Sequence, residues 1–362
     1  MSRISWASKL LSNRTSIQCG RTGNRPSTFS YSSEPREESP VRNAPKPKSI
    51  SYAKYGYLFS LPFVLAYAVF MLYPTIYTLI IGFTDLKGVA TNSWSFLDEP
   101  FKNFDKILNN KTFITSVQNT FIIWIMNFIP QILLALLLTA WFTRRKVTIH
   151  GQGAFKVIFY LPNIITAATV GILFSTFFGY PVGPVNAMRQ LFGYEAFYFL
   201  NDAWASKLIV AFIQFWQWYV YTAIVLISGV LGINPTLFES AEIDGATPTQ
   251  VFWRVTLPCM RTILIYTLIT SLIGGLNMFD IPKVFNNGQP ANATMTAALF
   301  IYNQAFSGTY QYNRAAAASM IMFLIIAVLS VFVFYLMRDR YDAKEKAAIR
   351  RMNRQAKRGA NA

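Results

Sequence analysis

From Tyr57 onward the chain alternates between long apolar runs that carry no charge and shorter polar stretches. A helix needs about 20 apolar residues to cross the hydrocarbon core of a bilayer. Six runs have that length or nearly so: Tyr57–Phe83, Phe113–Phe142, Val157–Tyr180, Leu208–Leu231, Ile263–Phe279 and Ala315–Met337. The fifth is the shortest and contains Gly274 and Gly275. The pattern predicts an all-α membrane protein with six transmembrane helices.

Charge decides the orientation. Of 33 Lys and Arg, 10 precede Tyr55 and 9 follow Met337. Positive residues are retained on the cytoplasmic side. Placing both tails inside, together with the loop of Arg144, Arg145, Lys146 and Lys156 and the loop after the fourth span, puts 25 basic residues inside against 8 outside. The N and C termini are therefore expected in the cytoplasm. Residues 1–54 carry Arg21, Arg25, several serines and prolines from Pro40 to Pro47, too little apolar content for a core, and read as a disordered basic tail. The stretch to Ser33 lacks acidic residues and is compatible with a transit peptide, a solvated tail or a misplaced start. Residues 341–362 read as a charged C-terminal tail, and 55–340 as the membrane domain.

Composition agrees with lipid as the solvent: 53% of residues are hydrophobic, 16% aromatic and 14% charged. The formal net charge of +17 is concentrated in the tails, which suits an anionic membrane surface and not a nucleic acid. One histidine, His150, and two cysteines, Cys19 and Cys259, supply neither a metal site nor a nucleophile with its base. No metal, cofactor or catalytic residue is expected, and the chain is not read as an enzyme. The six runs contain no Asp, Glu, Lys, Arg or His, which removes the ionisable relay that an ion-coupled carrier needs. A phosphate-binding loop of the form G-x-x-x-x-G-K-[ST] is missing too, so energy for uphill transport has to come from another subunit.

The loop from Leu231 to Arg261 reads LGINPTLFESAEIDGATPTQVFWRVTLPCMR. Asn234-Pro235 is an N-cap followed by a first-turn proline. Gly245, just after Asp244, can end that helix in the left-handed conformation. Thr247, Pro248 and Gln250 restart it as a capping box. Two short helices at an angle are predicted, with Leu237 and Ala241 on one face, Glu239, Glu242 and Asp244 on its rim, and Phe252 and Val255 on the second helix before Pro258 breaks it. Such a pair fits a groove on a partner or packs on its own spans.

Glu239-Ser240-Ala241, Asp244-Gly245-Ala246, Phe252 and Leu257-Pro258 resemble the EAA loop of permease subunits of binding-protein-dependent ABC importers, with Ser240 where Ala is usual. The resemblance extends over roughly Lys54 to Arg340. Tyr160-Leu161-Pro162, the stretch from Gly179 to Asn186, and FDIPKVFNNGQPANATMTAALFIYNQAF from Phe279 are similar to the carbohydrate-uptake group, with Gly288-Gln289-Pro290 where a GGP triplet is usual.

This resemblance implies the type I ABC importer permease fold and a multi-pass place in a bacterial inner membrane. It also implies a coupling loop at 232–261 formed by Glu239, Ser240, Ala241, Asp244, Gly245, Ala246, Phe252, Leu257 and Pro258. Its partners would be two cytoplasmic ATP-binding subunits, a second permease, an extracellular solute-binding protein, membrane lipid and a sugar. Glycerol phosphate or another polar solute is the alternative cargo, and a non-transporting docking subunit the alternative role. Sugars are held by hydrogen bonds and aromatic stacking, which makes Trp216, Trp218, Tyr219, Asn277 and Asp280 the candidates for the solute pathway.

Overall fold

A computed structural model describes residues 53–88, 94–143, 152–308 and 310–337. The two expected tails, apart from residues 53 and 54, and the basic loop Arg144, Arg145 and Lys146 lie outside the described residues.

The chain divides into two units, the first ending at Tyr77 and the second beginning at Thr78. The helix α1 (Lys54–Ile81) supplies nearly all the described residues of the first, and its last turn belongs to the second. It has no polar stripe, and two of its hydroxyls turn back onto its own carbonyls: Ser60 Oγ donates to Gly56 O at 2.9 Å and Thr75 Oγ1 to Met71 O at 2.7 Å. Hydroxyls bonded to their own helix are suited to hydrocarbon. One turn, Ala68–Leu72, is a π-helix just ahead of Pro74. A wider turn makes room for the proline ring, which otherwise collides with the carbonyl four residues back.

The second unit is helical throughout its regular structure. The short α2 (Lys102–Leu108) leads into α3 (Lys111–Phe142). Next come α4 (Gln152–Ile164), α5 (Ala167–Phe177), the short α6 (Pro184–Leu191) and α7 (Ala203–Leu231). Then follow α8 (Pro235–Ile243), α9 (Pro248–Val251), α10 (Arg261–Leu276), α11 (Asp280–Phe285), α12 (Ala297–Phe306) and α13 (Tyr312–Met337).

Across the described residues five helical stretches are long and apolar enough to span a membrane, and a sixth is bent. The bend alters the expected third span. Val157–Tyr180 is not one straight helix but two, Ile158–Ile164 and Ala167–Phe177, at 102°. Pro162 weakens the end of α4, and Thr166 restarts the chain as an N-cap by accepting from Thr169 N. Broken spans survive in membranes where the freed backbone faces protein or a polar cavity.

α3 and α7 run parallel as the central pair. Ile123 packs with Ile209, Val210 and Ile213, whereas Ala135 and Leu138 pack with Val220, Leu226 and Val230 further along both helices. Between these layers Gln131 Nε2 donates to Thr222 Oγ1 at 2.7 Å. A third layer, at the start of α3, gathers Ile107, Phe113, Leu299, Phe300 and Met322 from α2, α3, α12 and α13.

At that end buried amides tie the loops down. Asn103 donates to Gly82 O at 3.0 Å and Thr84 O at 2.9 Å, and accepts from Asn313 Nδ2 at 3.3 Å. Asp85 accepts from Ser95 N at 2.8 Å and Ser95 Oγ at 3.1 Å, the backbone bond chiefly holding its carboxyl below the ordinary aspartate value. Asn103→Leu strands two carbonyls and an amide, and is expected to cost about 3 kcal/mol. Thermal unfolding in detergent checks this, with the exposed Asn109→Ala as control; coincident melting curves would show that the Asn103 cluster carries no stability.

Candidate functional site

The segment between α7 and α10 folds as its capping residues dictate. Asn234 accepts from Thr236 N at 3.1 Å and starts α8. Gly245, at φ +76°, ends it: Gly245 N donates to Glu242 O at 3.0 Å and Ala246 N to Ala241 O at 2.9 Å. Thr247 and Gln250 form the capping box, with Thr247 N to Gln250 Oε1 at 2.8 Å and Gln250 N to Thr247 Oγ1 at 3.4 Å. Pro258 does not break the second helix, as its position in the sequence led us to expect. After α9 the chain continues through a π-helical turn, Phe252–Thr256, into Leu257–Cys259. The widened turn contains the Arg254 carbonyl with which the proline ring would clash, the same accommodation as ahead of Pro74.

The inner side of this loop is anchored. Leu237 and Phe238 pack on the cluster that holds Ala135, Leu226, Ile233 and Met260. Phe252 and Leu257 are half-buried, and Ala241 and Ala246 also sit partly inside. The outer side presents Glu239, Ser240, Asp244, Gly245 and Pro258 to the surroundings. Two residues that sequence reasoning passed over stand among them: Ile243, 86% exposed, and Trp253, 59% exposed. Large apolar side chains on the outer side of an ordered, acidic loop are what a protein partner covers. The helical wheel carried this signal, since Ile243 lies off the Leu237–Ala241 face.

A cavity of about 590 Å³ opens among α3, the α4–α5 break, α7, α10 and α11. Its wall is rich in amides and hydroxyls: Asn127 and Gln131 from α3, Asn163 and Thr166 at the break, Gln214, Gln217 and Thr222 from α7, and Thr267, Thr270 and Ser271 from α10. Among the described residues no Lys, Arg or His lines it. Gln217 holds the break together, because its Nε2 donates to Ile165 O at 2.9 Å while Asn163 Nδ2 donates to Gln217 O at 3.2 Å. The Gln217 Oε1 is buried and has no hydrogen-bond donor among the described residues. Trp124 closes one side, its Nε1 donating to Ser271 O at 3.1 Å.

Three of the five residues expected in the solute pathway, Trp218, Asn277 and Asp280, line this cavity together. The other two lie outside its lining. Trp216 packs edge-on against Phe174 at 5.8 Å, and the buried Tyr219 sits between Phe159 and Phe215, at 6.4 and 5.7 Å. The amides escaped the sequence reading because the search of the spans was for charges. Their spacing was available: Gln214, Gln217, Trp218, Tyr221, Thr222 and Val225 recur every three or four residues along one face of α7.

A broken span, an ordered loop rooted in the core and a polar cavity among apolar helices define a membrane transport protein. The sequence profile of the inner membrane component of binding-protein-dependent transport systems matches residues 109–346, and the chain belongs to that family. It is 30% identical to the lactose transport system permease protein LacF of Rhizobium radiobacter, over 79% of this chain and 94% of that one. To the arabinooligosaccharides transport system permease protein AraP of Bacillus subtilis it is 28% identical, over 81% and 93%. Among solved structures it is similar to a chain of a bacterial alginate ABC transporter in complex with alginate pentasaccharide-bound periplasmic protein. There the TM-score is 0.65 and the identity 27%, with 79% of this chain and 94% of that one covered. The family is a non-enzymatic component of ABC importers, so the chain is a multi-pass membrane subunit of such an importer.

Proposed function

We propose that this chain is a permease subunit of an ATP-driven carbohydrate importer, with the cavity as its half of the sugar path and residues 232–261 as the coupling loop. The observation that carries the reading is the amide-rich cavity beside Trp218, because sugar hydroxyls need donors and acceptors along with an aromatic face. The relatives support the cargo class, since they are named for lactose, arabino-oligosaccharides and alginate.

In this reading the N and C termini are cytoplasmic, 55–340 is the permease domain, and 1–54 and 341–362 are tails. Two ATP-binding subunits grip Glu239, Ser240, Ala241, Asp244, Gly245 and Ala246, while Phe252, Leu257 and Pro258 hold the second helix at its angle. A second permease completes the path, and a solute-binding protein delivers the sugar from outside. Coupling is mechanical. Leu237, Phe238 and Met260 join the loop to the ends of α3 and α7, so a displaced loop carries those helices with it, and Gln131 and Thr222 on them line the cavity. Two packings of the spans that differ by a few kcal/mol, biased by ATP-dependent contacts on the loop, suffice for alternating access.

The test is uptake. The transporter, purified through a tag on this chain and reconstituted in vesicles, is expected to take up at least one of labelled lactose, maltose and arabinotriose, with dependence on ATP and on its binding protein. Failure with all three, when the ATPase subunits are present and hydrolysing, would remove the carbohydrate reading.

A further inference from the structure

The cavity is neutral except at one point. Asp280, the first residue of α11, lines it and is exposed, and among the described residues no Lys, Arg or His stands on the wall to balance it. The one cation within a helical turn, Lys283, is held elsewhere: its Nζ donates to Asn287 Oδ1 at 3.0 Å and lies 4.8 Å from the centre of the Tyr302 ring. Among the described residues Asp280 has no ion-pair partner. The remaining polar groups on the wall are amides and hydroxyls, which suit a neutral solute as well as a charged one.

We infer that Asp280 is a specificity-determining residue, a fixed negative charge that admits neutral and cationic saccharides and turns away acidic ones. This rests on the carbohydrate reading given above and divides its cargo class by charge; anionic solutes such as uronates and sugar or glycerol phosphates fall on the rejected side. Discrimination by repulsion needs no new contact to the accepted solute. A carboxylate on the solute about 6 Å from Asp280, at an effective dielectric between roughly 20 and 80, is disfavoured by about 3- to 100-fold. Salt screens part of that repulsion.

The binding protein has its own selectivity, so the test omits it. The complex of both permeases and both ATPases, in lipid nanodiscs, is titrated with maltotriose, trigalacturonate and the glucosamine trimer, and binding is followed by saturation-transfer NMR. The wild type is expected to bind maltotriose and the amino sugar at least about three-fold more tightly than the uronate, with the ratio shrinking as salt rises. Asp280→Asn is expected to bring the uronate to near parity with maltotriose, and Asp280→Glu to restore the discrimination. Equal wild-type binding of neutral and acidic trimers or an unchanged ratio in Asp280→Asn would each overturn the filter. Either result leaves the carbohydrate reading standing; a wild type that binds none of the three sugars would overturn both.

Discussion

Replacing Gly245 by Trp is expected to abolish uptake, while replacing it by Ala leaves a measurable fraction. The backbone at Gly245 is left-handed, at φ +76°. Any residue with a Cβ pays about 1–2 kcal/mol for that conformation, and Ala and Trp pay it alike. Within this chain a Cβ at Gly245 meets nothing within 4 Å, so neither variant clashes at its first side-chain atom. The difference between the two variants therefore measures whatever covers the turn in the assembled transporter. An indole forced into a filled interface costs about 1–3 kcal/mol or more, so uptake by the Trp variant should lie at least about five-fold below that of the Ala variant. The measurement is ATP-dependent sugar uptake in vesicles, alongside the amount of ATPase subunit recovered with each variant. Equal uptake by the two variants would mean that the turn stays bare, and the coupling role of the loop would fall.

The second large effect comes from two adjacent glycines that behave oppositely. A Cβ at Gly275 would lie 2.0 Å from Trp124 Cδ1 and 2.8 Å from its Nε1. That indole cannot step aside without loss, since it is stacked on Phe128 at 5.4 Å and hydrogen-bonded to Ser271 O. Gly275→Val should push α10 off α3, cost about 3 kcal/mol, and open the wall of the cavity. At Gly274 a Cβ meets nothing within 4 Å. Gly274→Ala should stabilise α10 by up to about 1 kcal/mol through helix propensity. Thermal unfolding of the detergent-solubilised protein separates the two, and a valine at 275 that melts with the wild type would show that α10 and α3 have slack between them.

How legible these features were depended on their range along the chain. The cap residues Asn234, Gly245, Thr247 and Gln250 act on neighbours within a few positions, and each forms the bonds its spacing implied. Pro258 misled because its effect depends on whether the preceding turn can widen, and the turn from Phe252 to Thr256 does so. The third apolar run had the length of a span, yet its composition held no sign that Gln217, more than fifty residues on, would receive the carbonyl freed at a sharp bend. Trp216, Trp218 and Tyr219 are chemically alike and nearly adjacent, but helical rotation sends only Trp218 to the cavity.

By itself, then, the sequence determined the solvent of this protein, its all-helical class and the bent form of its loop, because hydrophobic run length and capping chemistry act locally. Only the tertiary structure decided that the third span is broken, that uncharged amides from α3, α4 and α7 converge on one cavity, and that Asp280 faces it with no cation among the described residues on the wall. Those are relations between residues brought close by the packing of separate helices, and the energy that aligns the helices comes from buried contacts spread over many positions, with no local spacing rule to record them.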